Sequence, residues 1–160
     1  MADLILGIDP GKSGGFAWQF KGGRPGCLAM PEAEGEIVSH IQELAGWGDT
    51  RPVVYIEKVG GYIGKPQPGS RMFTFGRNTG VILGALYASG FRIHEVAPTK
   101  WQKALGLSGA GKKNPGKGGL KNKAIQLFPE LAAQKRITLK TADALLIFEF
   151  ACRAEKSSAF

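Results

Sequence analysis

Three acidic residues lie where the sequence predicts that a strand ends or a helix begins. Asp9 follows the apolar run at residues 4–8, and Glu57 follows the β-branched run at residues 53–56. A carboxylate that ends a central strand is held by the sheet yet remains accessible at its edge, where a cation and a phosphate can approach. Asp143 lies near the start of an otherwise apolar helix, where a carboxylate without a partner would be costly.

These residue types indicate the chemistry of a divalent cation. Carboxylate oxygens are hard ligands that suit Mg²⁺ or Mn²⁺. Two such ions about 4 Å apart can activate a water and stabilise the leaving oxygen of a phosphodiester. Each acid also has a structural interpretation: Asp9 as the cap of a turn, Glu57 as an exposed strand end, and Asp143 as a buried acid with a hydrogen-bond partner. Together the three acids are enough to begin a metal site.

The charge of the chain favours a polyanionic partner. Its 160 residues include 21 Lys and Arg against 13 Asp and Glu, a net charge of +8. Seven lysines and no acid lie between residues 100 and 123, interleaved with glycines: Lys100, Lys103, Lys112, Lys113, Lys117, Lys121 and Lys123. Such a segment suits a phosphate backbone, because each neutralised phosphate releases counterions. The alternative interpretation is a solvated charged face.

Other compartments and partners are disfavoured. Cys27 and Cys152 are the only cysteines and form no CxxC motif, which predicts free thiols in a reduced compartment rather than a disulfide or a zinc site. The first residues have an acid on each side of a short apolar run, unlike a signal peptide. No run approaches the ~20 apolar residues that span a bilayer. We therefore expect a cytoplasmic or nucleoid-associated protein without a signal peptide or a membrane partner.

The predicted elements form a single α/β domain over residues 1–160. The strands are predicted at residues 4–8, 15–20, 26–30, 53–56 and 91–96. The helices are predicted at residues 37–45, 71–88, 98–105, 121–128 and 138–154. The order βββαβαβ predicts a five-stranded mixed sheet, an antiparallel meander extended by parallel strands and flanked by helices. More than half of residues 106–119 are Gly or Lys, and the segment is predicted to form a basic, mobile loop.

An ordered set of motifs resembles the RuvC-type Holliday-junction resolvases. The motifs are Gly7-Ile8-Asp9-Pro10-Gly11, Tyr55-Ile56-Glu57-Lys58-Val59, Phe75-Gly76-Arg77-Asn78-Thr79-Gly80, Ala97-Pro98-Thr99-Lys100-Trp101-Gln102-Lys103 and Ala142-Asp143-Ala144-Leu145. Each motif is weakly specific, but the set with these intervals is strong and covers nearly the whole chain. The Trp-Gln-Lys and Leu127-Phe128-Pro129 motifs look closest to those of phage-encoded or organellar relatives.

The resemblance implies a fold, an assembly and an activity. The fold would be RNase H-like, and a symmetric homodimer would introduce paired nicks across a four-way DNA junction. Two Mg²⁺ or Mn²⁺ ions would be bridged by Asp9, with Glu57 and Asp143 each binding on one side. Lys121 and Lys103 match basic residues that hold the scissile phosphate in the family, and Lys121 is therefore a candidate catalytic residue. Tyr62, in the loop after Glu57, is expected to stack on an unpaired base or to anchor the surface.

One position departs from the family pattern. Relatives carry a fourth acid three or four residues before the final Asp, where this chain has Leu139 and Lys140. The Lys140 ammonium could lie where a second cation would bind, or the site could use a single tightly bound metal. A third alternative is a junction-binding protein on the same scaffold that cleaves poorly or not at all.

Nucleotide chemistry is a further alternative. The strand–Asp–x–Gly opening also occurs in actin-like sugar kinases and ATPases, which need two such domains closing on ATP, whereas 160 residues supply one. Two segments imitate a P-loop. Gly7–Ser13 is one residue short of the motif, and Gly106–Lys113 ends in Lys where the magnesium-binding hydroxyl belongs. We therefore expect no nucleotide cofactor.

Overall fold

The five strands of the chain form one mixed sheet. The computed structural model of the protein describes residues 2–46, 51–58, 60 and 68–158. The strands are β1 (Leu4–Asp9), β2 (Gly15–Phe20), β3 (Gly26–Ala29), β4 (Val53–Glu57) and β5 (Arg92–Val96), in the order β3-β2-β1-β4-β5. The pairs β1–β2 and β2–β3 are antiparallel, while β1–β4 and β4–β5 are parallel. The predicted α/β fold with a mixed sheet is confirmed.

Helices cover both faces of this sheet. They are α1 (Glu34–Ala45), α2 (Gly69–Ala88), α3 (Pro98–Ala104), α4 (Gly116–Leu127), α5 (Pro129–Ala133) and α6 (Ala142–Ser157). Hydrophobic side chains of α1 and α2 pack on one face and those of α3, α4 and α6 on the other. None of the helices in the described part of the chain combines the length and apolar character that a membrane crossing requires.

Helix α4 begins at Gly116, inside the segment predicted as a loop. The side-chain oxygen of Asn114 accepts a hydrogen bond of 2.9 Å from the Gly116 N–H, which satisfies one backbone donor at the start of the helix. Leu120 and Ala124 are buried against the core. Their burial outweighs the low helix propensity of the glycines, as tertiary packing commonly does.

Helix α6 begins at Ala142, four residues later than predicted. The Thr141 hydroxyl oxygen accepts a hydrogen bond of 2.9 Å from the Thr138 N–H, and the Thr138 hydroxyl accepts one of 3.1 Å from the Lys140 N–H. Threonine side chains that bond to nearby backbone offer the chain an alternative to the helix. The short turn they form places Asp143 in the first turn of α6.

Gly7 lets α6 lie directly on the central strand. Leu4, Leu6 and Ile8 of β1 belong to the core shared with α1 and α2, so the alternation of the strand directs Gly7 toward α6. A Cβ at Gly7 would lie 2.4 Å from the Phe148 nitrogen and 2.7 Å from the Ala144 oxygen, both in the backbone of α6. The close approach therefore requires glycine at this position.

We predict that Gly7→Ala destabilises the protein by about 3 kcal/mol, because its methyl group forces α6 away from the sheet. The matched control is Gly35→Ala, on the exposed side of α1, where an added Cβ meets nothing within 4 Å. The control should be neutral or stabilising by up to about 1 kcal/mol, since alanine favours the helix. Urea unfolding of both variants measures the difference. Equal stabilities would show that the contact between β1 and α6 is not tight.

Candidate active site

The sheet brings Asp9 and Glu57 to the same edge. Asp9 is the last residue of β1 and Glu57 the last of β4, and the two strands are parallel neighbours with Ile8 opposite Ile56. Parallel strands end on the same side of a sheet. Helix α6 crosses β1 at Gly7 and adds Asp143 from its first turn. The structure therefore brings together the three acids that the sequence predicts as one site.

The turn after β1 holds Asp9 in place. The Gly11 N–H lies 3.4 Å from Asp9 Oδ1, a long hydrogen bond, and the Asn78 side-chain amide donates a bond of 2.7 Å to the Pro10 carbonyl. Asn78 is buried, so this bond ties the turn to helix α2. A Cβ at Gly14 would lie 2.6 Å from the Asp9 carboxyl carbon. Glycine at 14 is therefore what leaves room for the Asp9 carboxylate.

Trp101 orients the Glu57 carboxylate. Its indole Nε1–H donates a hydrogen bond of 2.9 Å to Glu57 Oε2. Trp101 is 1% exposed, and its ring is fixed within the core. Buried indole N–H groups usually find an acceptor, but the sequence does not show which one. The Trp101 contact is a feature of the site that the sequence analysis missed.

Lys117 contacts the third carboxylate. Its Nζ lies 2.6 Å from Asp143 Oδ2 in an ion pair in which the lysine side chain is 63% exposed and the aspartate 9%. The other oxygen, Asp143 Oδ1, is buried and makes no hydrogen bond within the described residues. A buried carboxylate oxygen without a partner is unfavourable unless a donor or a cation satisfies it.

Burial and mutual repulsion raise two of the acids' pKa values. Burial, followed by the charge of Asp143, raises the pKa of Asp9 to about 6. Burial, followed by the charge of Asp9, raises the pKa of Glu57 to about 7, against the hydrogen bond from Trp101. Burial lowers the pKa of Lys117, but the bond to Asp143 and the charges of the three acids outweigh it, so the pKa is raised. The Lys117 ammonium thus interacts with all three carboxylates.

The remaining predicted residues surround this site or lie away from it. Lys117, predicted only as a DNA contact, lies against Asp143, whereas Lys121 lies one turn later on α4. Lys112 donates a hydrogen bond of 2.6 Å to the Gly106 carbonyl. The other basic residues of the predicted interface are placed on α3, before α4 or on α4: Lys100, Lys103, Lys113 and Lys123. Lys140 is exposed, and Tyr62 lies outside the described residues.

The donor set fits a hard divalent cation. It consists of carboxylate oxygens, which are ligands that Mg²⁺ and Mn²⁺ prefer. One of them, Asp143 Oδ1, is buried and has no partner among the residues that the structure covers. Among the residues that the structure describes, no three His, Cys, Asp or Glu side chains are already arranged to hold a metal ion. The ammonium of Lys117 takes up one oxygen of the set instead.

Comparison with solved structures identifies the fold. The structure of T. thermophilus RuvC in complex with a Holliday junction substrate matches with a TM-score of 0.58 and 17% identity, over 97% of this chain and 96% of that chain. A second Thermus thermophilus RuvC structure matches with a TM-score of 0.55 and 18% identity, over 95% and 96%. The chain has the RuvC fold. No protein-family model and no curated protein matches the sequence.

The chain shares its fold with these RuvC structures but few of its residues. Identity of 17–18% over nearly the full length of both chains means that the fold is shared while most side chains differ. The RNase H-like, RuvC-type architecture implied by the motifs is confirmed. What the carboxylates of this chain do depends on its own residues.

We predict that the protein without metal loses stability as the pH rises from about 4 to about 7. A raised pKa means that the folded state favours the protonated carboxyl, so this stabilisation is complete below the ordinary pKa values of 3.8 and 4.5 and is fully lost once Asp9 and Glu57 ionise in the folded state, at about 6 and 7. Glu57→Gln keeps an acceptor for Trp101 and removes the charge. Its melting temperature at pH 8 in EDTA should exceed that of the wild type by several degrees.

The difference should shrink toward pH 5, where the wild-type carboxyl is protonated. Glu43→Gln, on the exposed side of α1, is the control and should follow the wild-type profile. Thermal unfolding by circular dichroism from pH 5 to pH 8 measures all three proteins. Parallel curves for Glu57→Gln and the wild type would show that Glu57 does not repel its neighbours.

Proposed function

We propose that this protein is a divalent-metal-dependent endodeoxyribonuclease that resolves Holliday junctions or related branched DNA. The observation that carries the proposal is the convergence of Asp9, Glu57 and Asp143 at one edge of a RuvC-type sheet, with Asp143 Oδ1 buried and without a partner among the described residues. The basic surface of α3 and α4 lies beside these carboxylates, since Trp101 and Lys117 of those helices contact them. The RuvC of T. thermophilus is described in complex with a Holliday junction substrate.

Each carboxylate has a distinct part in this proposal. Asp9, Glu57 and Asp143 would hold Mg²⁺ or Mn²⁺, with two ions implied by the family resemblance. When bound, the metal would neutralise the carboxylates, lower the pKa of a water and stabilise the leaving oxygen of the phosphodiester. Trp101 keeps Glu57 in one orientation, and the turn at Gly11 does the same for Asp9. Rigid side chains of this kind reduce the reorganisation that the reaction requires.

The basic residues would hold the DNA backbone. Lys117 contacts Asp143, and the other lysines of α3, of α4 and of the segment between them would extend this basic surface away from the carboxylates. On the opposite side of Asp9, Lys12 and Arg71 line a groove of about 590 Å³ together with Ser13, Ser70 and Thr74. A DNA strand that crosses the carboxylates would therefore meet basic side chains on both sides. Contacts of this type position a phosphate backbone without reading its sequence.

A weakly catalytic junction-binding protein is the second candidate. The observation that favours it is that Lys117 already pairs with Asp143, while Lys140 replaces the fourth acid of the family. Measurements of junction binding and of junction cleavage distinguish the nuclease from the junction-binding protein. Nicking that depends on Mg²⁺ or Mn²⁺ supports the nuclease, and tight junction binding without cleavage under any metal supports the alternative.

We predict that the wild type nicks a labelled four-way junction in Mg²⁺ or Mn²⁺ and leaves a linear duplex intact, with a flap substrate testing other branched DNA. Asp9→Asn, Glu57→Gln and Asp143→Asn should each reduce the nicking rate by roughly 100-fold or more, because each removes a charged ligand. Their Kd for the junction in EDTA should not increase, since the basic surface is unchanged. Gel-based nicking and fluorescence anisotropy measure the two properties.

Glu43→Gln is the control for loss of a carboxylate far from the site and should nick at the wild-type rate. Wild-type nicking by Asp9→Asn would overturn the assignment of the site. Metal-dependent nicking that persists in all three single variants would place the catalytic centre elsewhere on the chain.

Helix α2 supports the proposed homodimer. Phe73 and Tyr87 are 69% and 67% exposed on this helix, and Gly76, Gly80 and Gly84 lie between them. Residues spaced by three and four share a helix face, and glycine lets a second helix approach closely. A Cβ at any of the three glycines meets nothing within 4 Å in the monomer. This face of α2 is therefore suited to a second copy of the chain.

We predict that the wild type sediments as a dimer and that Gly80→Leu sediments as a monomer, because a leucine side chain would separate the two helices. The monomer has open space at this position, so Gly80→Leu should fold normally. Gly35→Leu, at an equally open position on α1, is the control and should remain dimeric. Sedimentation velocity measures all three proteins, and a monomeric wild type would contradict the proposed assembly.

A further inference from the structure

In the contact between Lys117 and Asp143, the aspartate is fixed in the site and the lysine is accessible to solvent. Asp143 is 9% exposed and lies in the first turn of α6, whose backbone packs against Gly7. Lys117 is 63% exposed and extends from the beginning of α4. The aspartate cannot leave the site without moving α6, whereas the lysine can exchange its partner by rotating its own side chain.

The backbone around Lys117 also favours such an exchange. Lys117 is the second residue of α4 and lies between Gly116, with φ +62°, and Gly118. A Cβ at either glycine would meet nothing within 4 Å, so this turn is not packed against the rest of the chain. Glycine lowers helix propensity by about 1 kcal/mol relative to alanine. The first turn of α4 is therefore poorly anchored until Leu120, which is buried.

The ammonium of Lys117 and a metal ion would compete for the same carboxylate. Lys117 Nζ lies 2.6 Å from Asp143 Oδ2, close enough that a cation bound through this oxygen would face a like charge at short range. Lysine has three donors on a flexible stem and can bind either a carboxylate or a phosphate, since both are anionic oxygen acceptors. A phosphodiester that enters the site offers Lys117 a second partner.

We propose that Lys117 makes metal binding dependent on DNA: it holds Asp143 in the free protein and transfers to a backbone phosphate when DNA binds, leaving Asp143 to the metal. This inference rests on the proposed function and adds a regulation of the same site. Coupling between two ligands is reciprocal, so metal must also strengthen DNA binding by the same factor. The free enzyme then carries little metal, which limits hydrolysis of DNA that is not properly bound.

Direct measurement of Mn²⁺ affinity tests the inference without relying on activity. Mn²⁺ binding is followed by electron paramagnetic resonance for the wild type, Lys117→Met and Lys156→Met. Lys156→Met is the control, because it removes the same charge from the exposed far end of α6, 13 residues or roughly 20 Å from Asp143. Each protein is titrated alone and with a four-way junction whose crossover linkages are phosphorothioates, which keep their charge and resist hydrolysis.

Without DNA, Lys117→Met should bind Mn²⁺ at least about tenfold more tightly than the wild type, while Lys156→Met should stay within about twofold of it. With the junction present, the wild type should tighten to within about threefold of Lys117→Met. Lys117→Gln keeps a polar side chain without the charge and should behave like Lys117→Met. Agreement between the two variants would show that the change in Mn²⁺ affinity does not come from misfolding of Lys117→Met.

Two results would overturn the inference while leaving the proposed function intact. One is equal Mn²⁺ affinity of the wild type and Lys117→Met without DNA, and the other is an equal gain in Lys156→Met, which would show only a general effect of charge. If Lys117→Met binds no Mn²⁺, or binds it equally well after Asp143→Asn is added, the carboxylates are not a metal site. That result would overturn the proposed function together with the inference.

Discussion

The repulsion among three carboxylates held at one sheet edge is the constraint on which the rest of the site depends. Asp9 and Glu57 are each destabilised as anions by burial and by the neighbouring acids, which is why their pKa values rise to about 6 and 7. The fold keeps these groups together because they sit on elements that cannot separate. Asp9 and Glu57 end the neighbouring parallel strands β1 and β4, and Asp143 lies on α6, whose backbone contacts Gly7 of β1.

The three acids receive different kinds of support. Glu57 accepts a hydrogen bond from the buried, neutral indole of Trp101, and Asp9 accepts a long bond from the backbone. Asp143 has the exposed Lys117 ammonium on one oxygen and, within the part of the chain that the structure describes, no partner on the other. A neutral donor orients a carboxylate without cancelling its charge, whereas an ammonium cancels it. The site therefore keeps most of its negative potential at Asp9 and Glu57 and holds an exchangeable cation at Asp143.

Sequence reasoning could predict the three acids together but not the groups that contact them. Asp9 and Glu57 followed apolar runs, and the topology of parallel strands then required both to emerge at one edge. Trp101 and Lys117 gave no such signal, because their contacts depend on how α3 and α4 pack. Seven lysines between residues 100 and 123 were equivalent by spacing, and only the start of α4 at Gly116 brings Lys117 rather than Lys121 to Asp143.

Lys140 and Lys117 both bear on how much negative charge the three acids accumulate. The turn before α6 is tied by Thr138 and Thr141, and Lys140 within it is exposed. A fourth carboxylate there would add charge to a cluster that already raises the pKa of Glu57 to about 7. With three acids and the Lys117 ammonium, the fully ionised cluster carries a net charge of −2, the sum of three negative charges and one positive charge. In the proposed exchange, a phosphate that draws Lys117 away would return the fully ionised carboxylates to a net charge of −3, the sum of three negative charges, which a divalent cation could then offset.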